Sequence, residues 1–396
     1  MDFPKRKTNK TRPQRNAPPH FRMGLWAPCG LCLLLLGAVG CAADSKSEAA
    51  SEGLDPTVYG VDFAVFFGFS ADRDTLWLKG DNDSWQAMTR GGVSGTRSGS
   101  DAVVVHPKVA TWSTTHAPHL MALPRSDDWV ASGYTDRIGG LDAARRSSLV
   151  YLGGDGGLDE EALVASGATV LTSYPFGDPM NGVEERTSIR VLPLREYEEP
   201  APLARAEYIK VFGWLTGQLP AADSVFNAIV GRYQTARHRG IQAAEVGGRP
   251  VVFTGSEQGG TWTAPAGDGL VARLVEDAGG AYLLNADTEA ALNLRRVGSN
   301  IEMDREQFAV LASDADAWGK VVYAPEGWYQ EDAAAALSWL PMDEMLLFHC
   351  NTAQVDYFGA AVLQPDRMLS DLVTVLHGLP AEEGPTPYFQ ITRPRP

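Results

Sequence analysis

From residue 109 onward the apolar positions come in short runs, and these alternate with stretches of helical period. Val109-Ala-Thr-Trp112, Ser148-Leu-Val-Tyr-Leu152, Thr169-Val-Leu-Thr172, Pro250-Val-Val-Phe-Thr254 and Val321-Val-Tyr323 are β-branched or aromatic runs bounded by Gly, Pro or polar residues, and each reads as a strand. Asp101-Ala-Val-Val-Val-His106, ended by Pro107, reads as another. Asp159 to Ala165, Gly269 to Ala278 and the segment opened by Asp304-Arg-Glu306 read as helices. Strands alternating with helices argue for an α/β fold with parallel-rich sheets. Mid-chain, residues 203–218 read as one helix, stopped at Leu219-Pro220, and a longer one runs from about Ala222 to Ala243. There Val225, Phe226, Ile229, Val230 and Tyr233 share one face, with Arg232, Arg237 and Arg239 opposite. Its central position marks it as a rigid connector between two lobes.

The first fifty residues set the compartment. Seven basic residues precede Met23 against the single acid Asp2, and an uncharged apolar run follows from Leu25 to Gly40. A basic head and an apolar core of that length make a secretory signal and not a span. Its end, Ala38-Val39-Gly40-Cys41, resembles the lipobox of bacterial lipoproteins, which implies cleavage before Cys41 and acylation of its thiol. Residues 1–41 are thus the expected lipoprotein signal, with Met23 an alternative start. Residues 42–57, poor in apolar side chains, form the expected flexible tether.

Seven of the 34 Lys and Arg and one of the 49 Asp and Glu lie in residues 1–41, which leaves 27 against 48, a net charge of −21. So acidic a chain would repel a phosphate backbone, which excludes nucleic acid as a partner. Of the four cysteines only Cys350 lies beyond Cys41, so no intramolecular disulfide is expected.

Two segments match between the halves: Asp159-Glu-Glu161 and Asp304-Arg-Glu306 each place an Asp before a helix and a Glu two residues on. Capping alone accounts for acids in a first turn; their duplication also suits a two-fold symmetric partner. In chain order come Val109-Ala-Thr-Trp-Ser-Thr-Thr-His116, Trp129-Val-Ala-Ser-Gly-Tyr134, Leu158-Asp-Glu-Glu-Ala-Leu163 and Pro202-Leu-Ala-Arg-Ala-Glu-Tyr-Ile-Lys210. Gly260-Thr-Trp262, Glu276-Asp-Ala-Gly-Gly280 and Pro365-Asp-Arg-Met-Leu-Ser-Asp-Leu372 near His377 follow. From about residue 58 to the end this series resembles the iron-siderophore, haem and cobalamin class of ABC-importer substrate-binding proteins.

The resemblance implies two Rossmann-like lobes bridged by a single long α-helix: residues 58–218, the helix over 219–246, and 247–396. It implies a monomer with no enzymatic activity and no intrinsic cofactor, periplasmic or at the cell surface. Its cargo would be an iron or cobalt chelate (a ferric siderophore, haem or corrinoid) held between the lobes and passed to a permease dimer with its ATPase. In that class one glutamate per lobe meets arginines of the permease; Glu161 and Glu306 stand at the matching positions.

Open α/β sheets bind ligands at the carboxyl ends of their strands. Candidate ligand residues are therefore Ser113, Thr114, Thr115 and His116, directly after a strand, and Tyr134 and Arg137 in the next such loop. Trp262 in a Gly-rich turn, Tyr329 beside Trp328, and His349 and Asn351 flanking Cys350 complete the set. Each also has a plainer reading. The hydroxyls fit a helix cap, Trp262 a packing role and the histidines a satisfied core. His116 and His119, on one helical face, could join His349 in a zinc- or manganese-type site, with haem ligation by one histidine as a variant. An exported hydrolase is the weaker alternative, because in Gly92-Val-Ser-Gly the glycine a nucleophile elbow needs is replaced by Thr96. Gly153-Gly-Asp-Gly-Gly157 lacks the Gly-Lys-Ser/Thr of a phosphate loop.

The anchor is directly testable. Cys41→Ser is expected to yield unacylated protein in the soluble fraction, and variant protein that still sediments with membranes overturns the lipobox reading.

Overall fold

The computed structural model describes residues 56–80, 83–89, 106–125, 127–174, 180–340, 345–380, 384 and 386–394. The signal, Cys41, most of the tether, the Gly92-Val-Ser-Gly segment and all but the last residue of the strand expected over 101–106 lie outside these residues.

In the N-terminal lobe five parallel strands lie side by side in the order Arg190–Pro193, Val170–Ser173, Val109–Thr111, Trp129–Ser132, Val150–Tyr151. The earliest in the chain is central and buried along its whole length, as a strand covered on both faces must be. The C-terminal lobe has the order Ala281–Tyr282, Val251–Thr254, Ala317–Val322, Leu346–Asn351, all parallel, with Gln390–Arg393 antiparallel at the edge. Each sheet reverses its winding once, beside Val109–Thr111 in the first and Val251–Thr254 in the second. At such a switch point successive loops leave in opposite directions and open a crevice at the carboxyl end.

Besides a two-stranded ribbon of Gly153–Gly154 and Gly157–Leu158, two larger antiparallel sheets lie outside the sequence-based reading. Phe67–Phe69, Thr75–Lys79 and Trp85–Thr89 form one; Ser256–Gln258, Thr261–Pro265, Asn300–Asp304 and Arg295–Val297 form the other. The chain entering the first is fastened by buried carboxylates. Glu207 accepts the N–H groups of Asp62, Phe63 and Ala64, each at 2.9 Å, and the Lys210 ammonium at 2.7 Å. Glu199 accepts those of Val65 and Phe66, although burial pushes its carboxyl up to about 7.

The long helix covers Leu219–Gly247, 29 residues. Pro220 sits in its first turn, where a missing N–H is harmless, so this proline opens the helix; what precedes it has already ended at Leu215, before Gly217 with φ 66°. The helix expected over 203–218 is instead two, Pro202–Glu207 and Ile209–Leu215. Leu219, Ala222, Phe226, Ile229, Tyr233, Ala236 and Gly240 make the buried stripe. Its first half packs on the N-terminal lobe, where Phe63 meets Phe226 edge-on at 6.0 Å and Arg73 pairs with Asp223 at 2.6 Å.

The second half is tied to the C-terminal lobe by the arginines of its polar face. Asp277, buried, accepts from the Tyr233 hydroxyl and Arg237 Nε, both at 2.8 Å, and from Arg273 Nε at 3.1 Å. Arg232 pairs with Asp366 of the helix Pro365–His377, which packs along it. Gly240 allows the closest crossing, since a Cβ there would sit 2.7 Å from the Ala278 carbonyl oxygen. No helix among the described residues is long and apolar enough to cross a membrane.

Two glycines of this helix separate propensity from packing. A Cβ at Gly231 would meet nothing within 4 Å, so Gly231→Ala is expected to stabilise by about 0.5–1 kcal/mol through helix propensity. Gly240→Ala is expected to destabilise despite the same gain. Urea unfolding of both variants checks the opposite signs, and equal stabilisation would refute the close crossing.

Candidate functional site

Loops at the carboxyl ends of the two sheets wall a cleft of about 720 Å³. The N-terminal lobe supplies Trp112, Ser113, Thr114, Tyr134, Arg137, Asp155 and Tyr174; the C-terminal lobe supplies Tyr323, Thr352, Val355, Asp356, Tyr357 and Phe358. Trp112, Tyr174, Tyr323 and Thr352 are each the first residue after a parallel strand. Ladder hydrogen bonds hold the strand's last residue, so the next side chain enters the crevice from a fixed backbone.

On the N-terminal side Gly133 makes room for an indole: a Cβ there would lie 2.7 Å from the Trp112 ring. The next residue, Tyr134, is left-handed with φ 48°, a conformation costly for a residue with a Cβ and common at binding sites. Its N–H donates to Gly153 O at 2.9 Å and its ring packs edge-on against Trp112 at 5.2 Å. The Arg137 guanidinium lies 5.0 Å over that ring and forks onto Asp155, with Nη1 3.2 Å from Oδ1. This hydrogen bonding raises Arg137 and lowers Asp155. Both ends are exposed, so the pair is weak and a ligand can displace it. Burial raises the Tyr134 hydroxyl, with Tyr174 and Asp155 adding to the shift.

On the C-terminal side Asn351 acts as a staple. Its Oδ1 accepts from Ala324 N at 3.0 Å and Ala353 N at 3.1 Å, and its Nδ2 donates to Ala324 O at 2.7 Å. That fixes the backbone next to Tyr323 and Thr352. Asp356 Oδ2 accepts from Ala360 N at 2.9 Å, and a Cβ on Gly139 of the other lobe would lie 2.4 Å from it, so the lobes touch here. Tyr323 is 75% and Phe358 64% exposed. Large exposed rings inside a concave site are surface that a ligand would cover.

Beneath Ser113 and Thr114 runs a buried polar network. The Thr115 hydroxyl donates to Glu196 Oε1 at 2.6 Å and lies 2.7 Å from Ser113 Oγ. His116 Nδ1 is 2.9 Å from Thr172 Oγ1, and its Nε2 is 3.4 Å from Glu196 Oε1. Burial raises the Glu196 carboxyl, but His116, the Thr115 hydroxyl and Arg205 outweigh it and hold it at about 2. His119 stacks on Phe212 at 5.2 Å, neither ring nitrogen is hydrogen-bonded among the described residues, and burial, then the charge of His116, pushes it down to about 3.

Ser113, Thr114, Tyr134 and Arg137 therefore stand together in the cleft wall. Several other candidates lie elsewhere. Trp262 is 1% exposed and stacks on Phe308 at 4.1 Å, with Phe253 and Trp339 around it. Its Gly-rich turn is a tight hairpin with positive φ at Gly259 and Gly260, and strand alternation sends the indole into the core. His116 and Thr115 face the network and not the cleft. They leave the expected cap unmade, since the helix Ala117–Met121 has no side-chain cap. His349 lies in the second sheet with Nδ1 2.7 Å from Thr392 Oγ1, so His116, His119 and His349 form no common site and none of them lines the cleft as a haem ligand. Among the described residues no group of three or more His, Cys, Asp or Glu is placed to hold a metal ion. Tyr329 is exposed outside the cleft and donates to Glu326 O. Asn351 shapes the cleft from behind.

Glu161 and Glu306 are exposed in the first turns of Glu160–Ala165 and Arg305–Ala312, one in each lobe. The capping falls to their neighbours: Asp159 accepts from Ala162 N, and Asp304 from Glu306 N and Gln307 N. The neighbouring Glu160 pairs with Arg186. Trp112, Asp155, Tyr174, Tyr323, Thr352 and the 355–358 loop were absent from the sequence-based candidates. Four of these are the first residue after a parallel strand, but the strand ends read from sequence fall one residue off, so that rule would have missed them.

No family model matches the chain, and no curated protein matches it. Solved structures match in shape. A periplasmic heme binding protein from Pseudomonas aeruginosa is 15% identical, with TM-score 0.53 over 74% of this chain and 100% of its own. A periplasmic binding protein from Veillonella parvula is 12% identical, with TM-score 0.53 over 77% and 98%. An ABC transporter substrate-binding protein from Listeria monocytogenes is 11% identical, with TM-score 0.50 over 69% and 100%. At such identities the likeness establishes the fold: this chain has the architecture of the two-lobed periplasmic binding proteins with one long connecting helix.

The network makes a pH prediction. Unfolded His119 takes up a proton near pH 6.5, whereas the folded one resists until about 3. Its contribution to stability is complete above 6.5 and falls away as the pH drops towards 3. His119→Leu is expected to flatten the melting temperature of the protein across that window, and parallel profiles of parent and variant would overturn this.

Proposed function

We propose that this chain is the extracytoplasmic solute-binding component of an ABC importer, anchored through Cys41, and that it carries a metal chelate between its lobes. The observation that carries this reading is the cleft itself. Six aromatic side chains from both lobes converge on one space, at the switch points of two doubly wound sheets. Such walls suit a flat or bulky ligand held by ring contacts. Among the described residues the charged groups of the wall are Arg137, already paired, with Asp155 and Asp356. One cation against two carboxylates disfavours a polyanionic tris-catecholate and favours a neutral or cationic chelate, such as a ferric hydroxamate or a corrinoid. A haem would have to place its propionates on Arg137 or in solvent.

Titrating Trp112 fluorescence with a ferric trihydroxamate, haemin, cobalamin and a ferric tris-catecholate tests the ligand class. Quenching by a neutral or cationic chelate is expected, with Phe358→Ala and Tyr323→Ala each weakening it about tenfold, or roughly 1.4 kcal/mol. Binding of the tris-catecholate alone would contradict the charge argument, and quenching by none of the four would remove the chelate reading.

We further read Glu161 and Glu306 as the contacts to a two-fold permease, in support of which both carboxylates are exposed and free of their own helix caps. Bidentate pairing with arginine at a partly desolvated interface exceeds what a surface ion pair gives. Glu161→Arg together with Glu306→Arg is expected to abolish uptake in reconstituted vesicles while ligand affinity stays within a few-fold of the parent. Lost ligand affinity with docking intact would return these residues to the cleft.

A further inference from the structure

Behind the C-terminal wall of the cleft lies a second, smaller cavity of about 250 Å³ between the second sheet and the helices Leu270–Asp277 and Pro365–His377. Leu274, Val275, Phe348, Leu372 and Phe389 line it, and Tyr357 belongs both to this lining and to the cleft wall. One ring is thus the partition between the two spaces. Among the described residues the Tyr357 hydroxyl has no hydrogen bond, and its ring touches Phe358 edge-on at 5.2 Å. A tyrosine held by packing alone can swing on its first side-chain torsion. The cavity's lining is mostly apolar, with Thr254, Ser256 and Lys320 among it, and concave apolar surface left to water is surface a ligand group would cover. An enclosed apolar cavity of about 150 Å³ takes up benzene, and this half-open pocket has room for a group somewhat larger.

We propose that the cavity is an annex of the binding cleft, which takes a compact apolar arm of the ligand when Tyr357 swings aside. This rests on the reading of the cleft as a ligand site and narrows it: the cargo is a chelate whose ligand carries an aryl or short alkyl substituent beside its polar, metal-bearing head. The cleft's exposed rings and polar side chains hold the head, and the annex discriminates by the arm. Each methylene buried there adds to affinity without any new polar contact.

Two measurements separate this proposal from the reading it rests on. The first uses toluene and protein alone. Toluene is expected to raise the melting temperature of the parent but not of Leu274→Trp, in which an indole fills the annex, with Val275→Phe as the second filled variant should the first misfold. Tyr357→Ala should speed toluene entry. The second compares ferric acetohydroxamate with ferric benzohydroxamate. The phenyl-bearing chelate should bind the parent at least tenfold more tightly and lose that advantage in the filled variant.

Absence of a toluene shift in the parent overturns the annex. Toluene binding without any preference for the phenyl chelate also overturns it, because the cavity is then not reached from the cleft. If neither chelate binds, while toluene binds in the annex and enters faster in Tyr357→Ala, the apolar site stands and the hydroxamate reading of the cleft fails.

Discussion

A carboxylate taken out of water must find donors or lose its charge, and the placement of Asp277 settles much of this molecule. Tyr233 and Arg237 from the long helix and Arg273 from its own helix converge on that one side chain. Removing any of them leaves a buried negative group under-satisfied, so the second half of the long helix cannot roll or slide against the lobe it serves. At the other end Asp223 of the long helix pairs with Arg73 at 2.6 Å and Phe226 packs edge-on against Phe63, whose N–H Glu207 holds. A helix gripped at both ends transmits orientation, and orientation decides whether two crevices on separate sheets become one cleft.

The cleft combines rigid and soft parts. Its rings stand on backbone that strands have just released, and Asn351 staples the C-terminal loops with three hydrogen bonds. The left-handed Tyr134 persists because Gly133, Trp112 and Gly153 over-determine it. Against this frame the Arg137–Asp155 pair is exposed and exchangeable, and Tyr357 is held by packing only. Fixed walls with a few movable side chains suit a protein that must bind a ligand firmly and later release it.

The buried network under Ser113 and Thr114 shows what support costs. His116, His119 and Glu196 lie in the core below the cleft floor, and several of their polar atoms lack hydrogen-bond partners among the described residues. Glu196 remains ionised because His116, Thr115 and Arg205 surround it, while His119 is kept neutral by burial. One pocket of low dielectric therefore pushes both groups in the acid direction for different reasons: attraction by neighbours in the first, desolvation in the second.

Local rules made much of the architecture legible. The strands at Val109–Thr111, Val170–Ser173 and Val251–Thr254 lie within runs recognisable by their β-branched residues, and the caps at Asp159 and Asp304 lie where short-range hydrogen bonding demands them. The long helix was visible because its apolar stripe repeats with helical period. The antiparallel sheets escaped because their strands are short, and segments such as Ser256–Gln258 and Arg295–Val297 carry few of the β-branched or aromatic residues that mark a strand. Trp262 was misplaced for a related reason. A glycine pair beside an aromatic reads equally as ligand loop or hairpin, and which face of a strand turns inward depends on its partner's register. The histidines looked like a site because three-residue spacing says that two side chains share a face, not whether that face meets solvent. Capping, periodicity and charge act within a turn or two, so the sequence alone determined the main parallel strands, the long helix and the acidic surface. The cleft joins Trp112 to Tyr357 across most of the chain, and only the strand order at two switch points and a helix pinned at both ends could bring those side chains together.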